Sequence, residues 1–413
     1  VRVHPTTTVV EAEHTKISAR VQWDGVKPEV PDVLTFKLPS SFSKYPAGNM
    51  NGFLTALLPV AMFAGEDIHI QGAISEKLLY GLREFQRVLH FWYPQWFSIV
   101  TISADSTTTI CSETTAGVMS SFSGGADSMY TFVSHLPENE PLPAHQVTHS
   151  LFIEAFDTPI ISEATQAQKV TTYAQLMKKL DIGFVPVSTN AKEFYYFNIE
   201  EAMAVTYTAI LIGTAQLTEG VIKSFYFSAD NTHDFPLIST ISHTLVPLMS
   251  SDNLHVSVYG ASVTKMEKLE KLITWPPSYE HLTVCWENPN GLKNCGKCVK
   301  CCHTTAGLDM LNALHLYSTF PPTVFRNKIR SRFQQPHFFY FTKTWIRFSK
   351  KYQRSDYVFD FTFVLWRNRF IYYILKPIKR VLMAPLHLAF ALSARLKQAS
   401  PNYAKCIYWI KKT

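Results

Sequence analysis

The run Ser123-Gly124-Gly125-Ala126-Asp127-Ser128 joins a short apolar segment, Val118 to Phe122, to a stretch of helical character from Asp127 to Leu136. Glycines at a strand-to-helix turn let backbone N–H groups approach phosphate oxygens, and the helix N-terminus adds the positive end of its dipole. Ser123 and Ser128 add hydroxyl donors. The same residues also suit a plain helix cap, with Asp127 and Ser128 favouring the first turn electrostatically. No Gly-Lys-Ser/Thr follows at the spacing of a Walker A loop, so motor and GTPase chemistry has no support.

A second constellation is Cys285-x9-Cys295-x2-Cys298-x2-Cys301. Four thiolates at this spacing can enclose one tetrahedral ion, and zinc suits an all-sulfur set in a closed, structural site. Gly296 allows the tight turn between the second and third ligands, while Lys293, Lys297 and Lys300 soften the negative charge. A redox dithiol or an iron–sulfur cluster are the rival readings, since Cys302 and His303 stand next door. The other two cysteines, Cys111 and Cys406, stand alone, so the chain does not read as a disulfide scaffold.

These residues need elements to hold them. From about Gly117, apolar strands alternate with helices: strands Val118–Phe122, Ser150–Glu154, Phe184–Val187, Ser224–Phe227 and His255–Tyr259, and helices Asp127–Leu136, Glu163–Leu180, Ile199–Thr218 and Ile238–Leu248. That alternation predicts an α/β domain with a doubly wound parallel sheet. Before it, residues 1 to about 50 alternate apolar and polar residues between prolines, which suits short antiparallel strands. A helix over Phe53–Ala64, a short strand at Asp67–Ile70 and a helix capped by Ser75 follow. Three regions result: an N-terminal α+β extension over 1–115, the α/β core with its four-cysteine zinc-binding segment over 116–320, and a basic, aromatic, helical C-terminal region over 321–413.

The phosphate loop followed by the Cys-x-x-Cys-x-x-Cys site resembles the QueC family of 7-cyano-7-deazaguanine synthases, within the PP-loop ATP pyrophosphatases of adenine nucleotide alpha hydrolase-like fold. Val263-Thr264-Lys265-Met266-Glu267 looks like the family's Leu-Thr-Lys-x-Glu segment, and Asp230 through Pro236 stands in the place of its substrate loop. The resemblance runs from Gly117 to about Leu308. It implies that ATP is bound by Ser123 to Ser128 and cleaved at the α phosphate, with Asp127 orienting Mg2+ or the loop. Lys265 would contact the adenylate or substrate, and Asp230, His233 and Asp234 would hold substrate; Thr264 also reads simply as a helix N-cap. The implied reaction adenylates a carboxylate such as 7-carboxy-7-deazaguanine, releases pyrophosphate, and passes the acyl group to an amine. Two alternatives stand beside this: nitrile synthesis with ammonia, and a tRNA-modifying thiolation enzyme of the same superfamily.

Composition constrains partners. The chain of 413 residues carries a net charge of +7, yet residues 321–413 hold 19 Lys plus Arg against Asp356 and Asp360, a charge of +17, so the remainder carries −10. Such a split points to an anionic partner: RNA, DNA, a membrane surface or an acidic protein. Synthases of the resembled type are compact, so the additions suggest a macromolecular acceptor, as in the QueC-like proteins of bacterial antiphage systems, including the QatC type, which resemble this enlarged plan. No apolar run reaches the roughly 18 residues of a membrane span, and Val1-Arg2-Val3-His4 does not read as a secretory signal, so a cytoplasmic protein with no transmembrane segment is expected.

Overall fold

The structure is a computed structural model, and it describes residues 1–378 apart from 26–27, 43–48, 110–115, 155, 157–162, 196–202, 235–242 and 288–291. Cys111, Cys406, the first residues of the expected helices Ile199–Thr218 and Ile238–Leu248, and Phe235 and Pro236 of the expected substrate loop lie outside the described residues. The chain divides into two compact units, Val1–Arg326 and Asn327–Thr413.

The first unit opens with β1 (Arg2–Val3), β2 (Thr7–Val10), β3 (His14–Gln22) and β4 (Val33–Pro39). In β3 every second side chain is buried, as the alternation of apolar and polar residues requires of a half-buried strand. Helix α1 (Asn51–Ala64) is apolar all round and buried over almost its whole length; β5 (Ile68–Ser75), α2 (Glu76–Trp92) and β6 (Ile102–Thr108) follow it. Ser75 caps α2 by accepting a 3.0 Å bond from the Leu78 amide. The strand β6, which sequence reading passed over, contributes little to the core: it lies at the sheet edge and is mostly exposed, so no apolar alternation marks it.

The second part supplies β7 (Gly117–Ser121), α3 (Ala126–Ser134), β8 (His149–Ile153), α4 (Glu163–Lys179), β9 (Gly183–Thr189), α5 (Met203–Gln216), β10 (Ile222–Ser228) and β11 (His255–Tyr259). Helices α6 (Lys265–Leu272), α7 (Ser278–His281) and α8 (Val299–Met310) close it. The five strands expected from the alternation are all present. Of the expected helix over Ile238–Leu248, residues 238–242 lie outside the described ones, and the described end is a turn and a 3-10 turn at Val246–Met249, where Pro247 has no N–H to give an α-helix.

The fold is α/β with a large, mostly parallel mixed sheet, ordered β11-β10-β7-β8-β9-β4-β3-β1-β5-β6, with β2 on β3. Strands β9, β8, β7, β10 and β11 are mutually parallel, and the chain reverses its direction of advance between β7 and β10. The N-terminal strands join at β9, where β4 pairs antiparallel through Phe36↔Thr189 and Lys37↔Ser188. Side chains lock that seam: Thr189 Oγ1 donates to Thr35 O at 2.7 Å, and Asn190 accepts from the Thr35 amide and donates to Val33 O, both at 2.9 Å. One sheet therefore runs through the expected extension and the expected core.

Helix packing ties the same parts together. At the α1–α5 crossing, a Cβ on Gly52 would sit 2.5 Å from Gly213 O, and one on Gly213 would sit 2.6 Å from Gly52 O, so the two backbones touch. Beside this crossing lies Glu219, almost completely buried. Its carboxylate accepts from Asn49 Nδ2 at 2.9 Å, Asn51 Nδ2 at 3.1 Å and Ser251 Oγ at 2.7 Å. Burial pushes its pKa up to about 7 against the pull of the Ser251, Asn51 and Asn49 hydrogen bonds, with the Asp252 charge adding to the rise.

In the second unit, α9 (Arg326–Arg330) leads to a helical hairpin of α10 (Phe339–Lys351) and α11 (Ser355–Phe370), followed by a π-helical turn, Ile371–Leu375. Trp345, Phe348, Tyr357, Phe361 and Val364 form its core, with the Trp345 and Phe361 rings stacked at 5.4 Å. Buried Asp360 is met by Arg330 at 2.5 Å, and the Arg367 guanidinium donates to the carbonyls of Arg330 and Arg332. The described part of the expected basic helical region is thus helical over most of its length, with non-helical stretches at 321–325 and 331–335.

Candidate active site and metal centre

Loops leaving the C-terminal ends of β7, β10 and β11 meet at the point where strand order reverses, the place where open α/β sheets form ligand crevices. The β7 loop is Phe122 to Gly125. Gly124 takes φ +81°, and a Cβ there would lie 2.0 Å from the Tyr173 hydroxyl and 2.7 Å from Thr283 Oγ1, so neither the backbone angle nor the space admits another residue. Ser128 Oγ accepts from the Ser123 amide at 3.1 Å, stands 3.0 Å from Ser123 Oγ and donates to Gly125 O at 3.1 Å. These bonds fold the turn onto the first turn of α3. The opening amides of α3, from Ala126 on, have no partner within the helix and Gly125 offers no side chain to cap them.

Asp127, in that first turn, is the centre of a charge cluster. Lys265 Nζ reaches one carboxylate oxygen at 3.0 Å and Lys268 Nζ the other at 2.9 Å. Burial would raise the Asp127 pKa, but the two lysine charges, each reinforced by a hydrogen bond, outweigh it and bring it down to about 2. Lys265 loses hydration, which favours its neutral form, yet the Asp127 charge wins and its pKa rises. Lys268 is 2 % exposed and also donates to Ala229 O, at the end of β10, at 2.6 Å. It therefore pins the β7 loop to the neighbouring strand. The Lys265-x-x-Lys268 spacing puts both ammonium groups on one face of α6. That spacing was the available signal for Lys268, which the motif-based reading of Lys265 missed.

Thr264, ahead of both lysines, is a cap: its hydroxyl accepts from the Glu267 amide at 3.4 Å while Glu267 Oε2 accepts from the Thr264 amide at 2.8 Å, a reciprocal capping box. Asp230, following β10, is exposed at the rim. Loss of hydration next to the cluster and the Asp127 charge raise its pKa. His233 donates its amide to Ala261 O at 2.9 Å and sets its ring 4.0 Å from that of His243; Asp234 is exposed on the same turn. The fold thus brings Asp127, Lys265 and Asp230 together, with His233 and Asp234 on the adjoining turn. Both Asp127 oxygens accept from lysine, so the carboxylate is engaged in orienting the loop.

The cysteines converge as the spacing predicts. The sulfur atoms of Cys285, Cys295, Cys298 and Cys301 all lie within 4.8 Å of one another, and three of the four residues are buried. Among the described residues this is the group of His, Cys, Asp or Glu side chains disposed to hold a metal ion, and four sulfurs fit zinc. Amides aim at the sulfurs: those of Lys297 and Cys298 at Cys295 Sγ, at 3.4 and 3.2 Å, and that of Cys301 at Cys298 Sγ, at 3.4 Å. Gly296, at φ +71°, makes the turn between the ligands. Cys302 points elsewhere, toward the carbonyls of Gly296 and Lys297.

A short segment connects the two sites. The Thr283 amide donates to Gly124 O at 2.8 Å, its hydroxyl pairs with Tyr173 at 2.8 Å, and two residues later comes the ligand Cys285. Buried Asn294 holds the same segment by accepting from the amides of Val284 and Cys285 at 2.8 and 3.1 Å, next to the ligand Cys295. The four-cysteine cluster and the Ser123–Ser128 loop are therefore joined through Thr283 to Cys285.

No family model, curated protein or solved structure matches this chain. No helix among the described residues is long and apolar enough to cross a membrane.

Proposed function

We propose that this chain is a QueC-like PP-loop ATP pyrophosphatase: an AMP- and pyrophosphate-forming C–N ligase that activates a carboxylate, 7-carboxy-7-deazaguanine or a close analogue. The observation that carries the reading is the placement of the Ser123–Ser128 loop at the sheet's switch point, with Lys265 and Lys268 gathered on Asp127 beside it. Free helix amides, two serine hydroxyls and a net positive lysine pair suit a polyphosphate, whose charge a site at a helix N-terminus offsets.

In the proposed reaction the substrate carboxylate oxygen attacks the α phosphorus. The bond to the bridging oxygen breaks, and pyrophosphate leaves into the loop amides and the Ser123 and Ser128 hydroxyls. Lys265, half-buried, neutralises charge on the phosphates, while Lys268 stays buried and keeps Asp127 and the β10 end in place. An amine then attacks the acyl carbon, loses a proton and expels AMP. Asp230, His233 and Asp234 line the side from which the acid enters. The four-cysteine site takes zinc in a structural role. The amine is assigned to a partner protein, in keeping with the enlarged plan of the antiphage proteins that the chain resembles, and the compartment is the cytoplasm.

Pyrophosphate release measured with ATP and 7-carboxy-7-deazaguanine tests the reading. Release is expected in the intact protein and a loss of roughly 100-fold or more in Asp127→Ala, as for removal of a preorganised electrostatic group. Absence of release with every deazapurine acid tried would refute it.

A further inference from the structure

Helix α11 is apolar on two opposite faces. Tyr357, Phe361 and Val364 point into the hairpin core. Phe359, Phe363, Trp366 and Phe370 recur at helical spacing and stand 63, 39, 63 and 39 % exposed. At about 100° per residue these four fall within about 60° of one another, and exposed Tyr373, Ile374, Leu375 and Ile378 follow them around and beyond the π-helical turn. Exposed Arg369 and Lys376 border it. Its neighbour α10 turns Lys343, Arg347 and Lys350 outward at i, i+4 and i+7, a basic row on a helix whose Trp345 and Phe348 are buried. The two acids of the described hairpin do not offset this row, because Asp356 is paired with Arg354 and Asp360 with Arg330.

We infer that this hairpin docks on the surface of an anionic phospholipid bilayer, with the α11 stripe entering the headgroup boundary and the basic residues meeting lipid phosphates. Charge complementarity and the chemistry of the stripe choose this occupant. Water is a poor neighbour for four large aromatic side chains on one helix face, and a patch of that kind marks an interaction site. Trp, Phe and aliphatic residues on one face with Lys and Arg at its borders and on the adjoining helix match a helix lying in the membrane plane. A nucleic acid would call for available cations among the stacking rings; here the guanidiniums of Arg330 and Arg367, which lie over the Phe359 and Phe363 rings, are engaged by Asp360 and by the Arg330 and Arg332 carbonyls, and aliphatic Ile374, Leu375 and Ile378 follow the rings.

Sedimentation of the full chain with vesicles tests the inference. In about 0.1 M salt, where charges are screened beyond roughly 10 Å, vesicles of equal parts phosphatidylcholine and phosphatidylglycerol should bind roughly ten times more tightly than phosphatidylcholine alone. Phe363→Ser combined with Trp366→Ser, both at exposed positions, should leave the melting temperature unchanged and weaken binding roughly tenfold. Lys343→Gln with Arg347→Gln and Lys350→Gln should abolish the preference for anionic lipid. Absence of binding to either vesicle overturns the inference, as does vesicle binding that the serine pair leaves intact. Tighter binding to a single-stranded RNA than to vesicles would assign the surface to nucleic acid instead, and a dimer made monomeric by the serine pair would assign it to a second copy.

Discussion

Asp127 shows how one side chain can be fixed by its neighbours more than by its own chemistry. Its pKa of about 2 lies below the ordinary 3.8 because Lys265 and Lys268 hold both oxygens against the cost of burial. A folded pKa below the unfolded one means stability that is present above pH 3.8 and lost as pH falls through 2. The amount is about 2 kcal/mol at roughly 1.4 kcal/mol per pH unit. Lys268→Met keeps the volume and removes the ammonium, so the Asp127 pKa should move back up. Thermal melts from pH 2 to 7 should then show the variant least stable relative to the parent above pH 4, with the gap closing toward pH 2. Parallel curves would mean that Lys268 acts by packing alone.

At the level of elements, Glu219 joins the entry of α1 to the end of α5 and the turn before β11 through Asn49, Asn51 and Ser251. Its folded pKa of about 7 exceeds the ordinary 4.5, the opposite sign from Asp127. The contribution is fully present below pH 4.5 and is lost as pH rises through 7, about 3 kcal/mol in all. Glu219→Gln cannot ionise, so its melting temperature should stay flatter than the parent's between pH 5 and 8. An unaltered slope would show that another group sets the pH dependence. The same network explains why the N-terminal strands and helices belong to the first unit and not to a separable extension: the carboxylate of one part needs the amides of the other.

For the first unit as a whole, the four-cysteine cluster and the Ser123–Ser128 loop share the Thr283–Cys285 segment. Metal analysis should give about one zinc per chain, as four sulfur ligands favour. Removing it with a chelator frees Cys285, and with it the Thr283 amide that holds Gly124 O. ATP affinity, read by equilibrium binding without turnover, should fall roughly tenfold, the cost of about one such hydrogen bond. Metal-free protein that binds ATP as tightly as before would show that the loop stands without the metal.

Much of this was legible in the amino-acid sequence because it depends on neighbours along the chain. The Ser123–Ser128 turn, the five strands of the parallel set, the caps at Ser75 and Thr264 and the convergence of four cysteines all follow from spacing, since a period of two or of 3.6 and a ligand loop are local properties. What only the tertiary structure decided depends on residues far apart in sequence. Lys268 meets Asp127 across 141 positions, Glu219 meets Asn49 across 170, and the antiparallel join of β4 to β9 turns two expected regions into one sheet. Such pairings leave no periodic trace, because a buried lysine or glutamate is tolerated only once the fold has brought its partner to it.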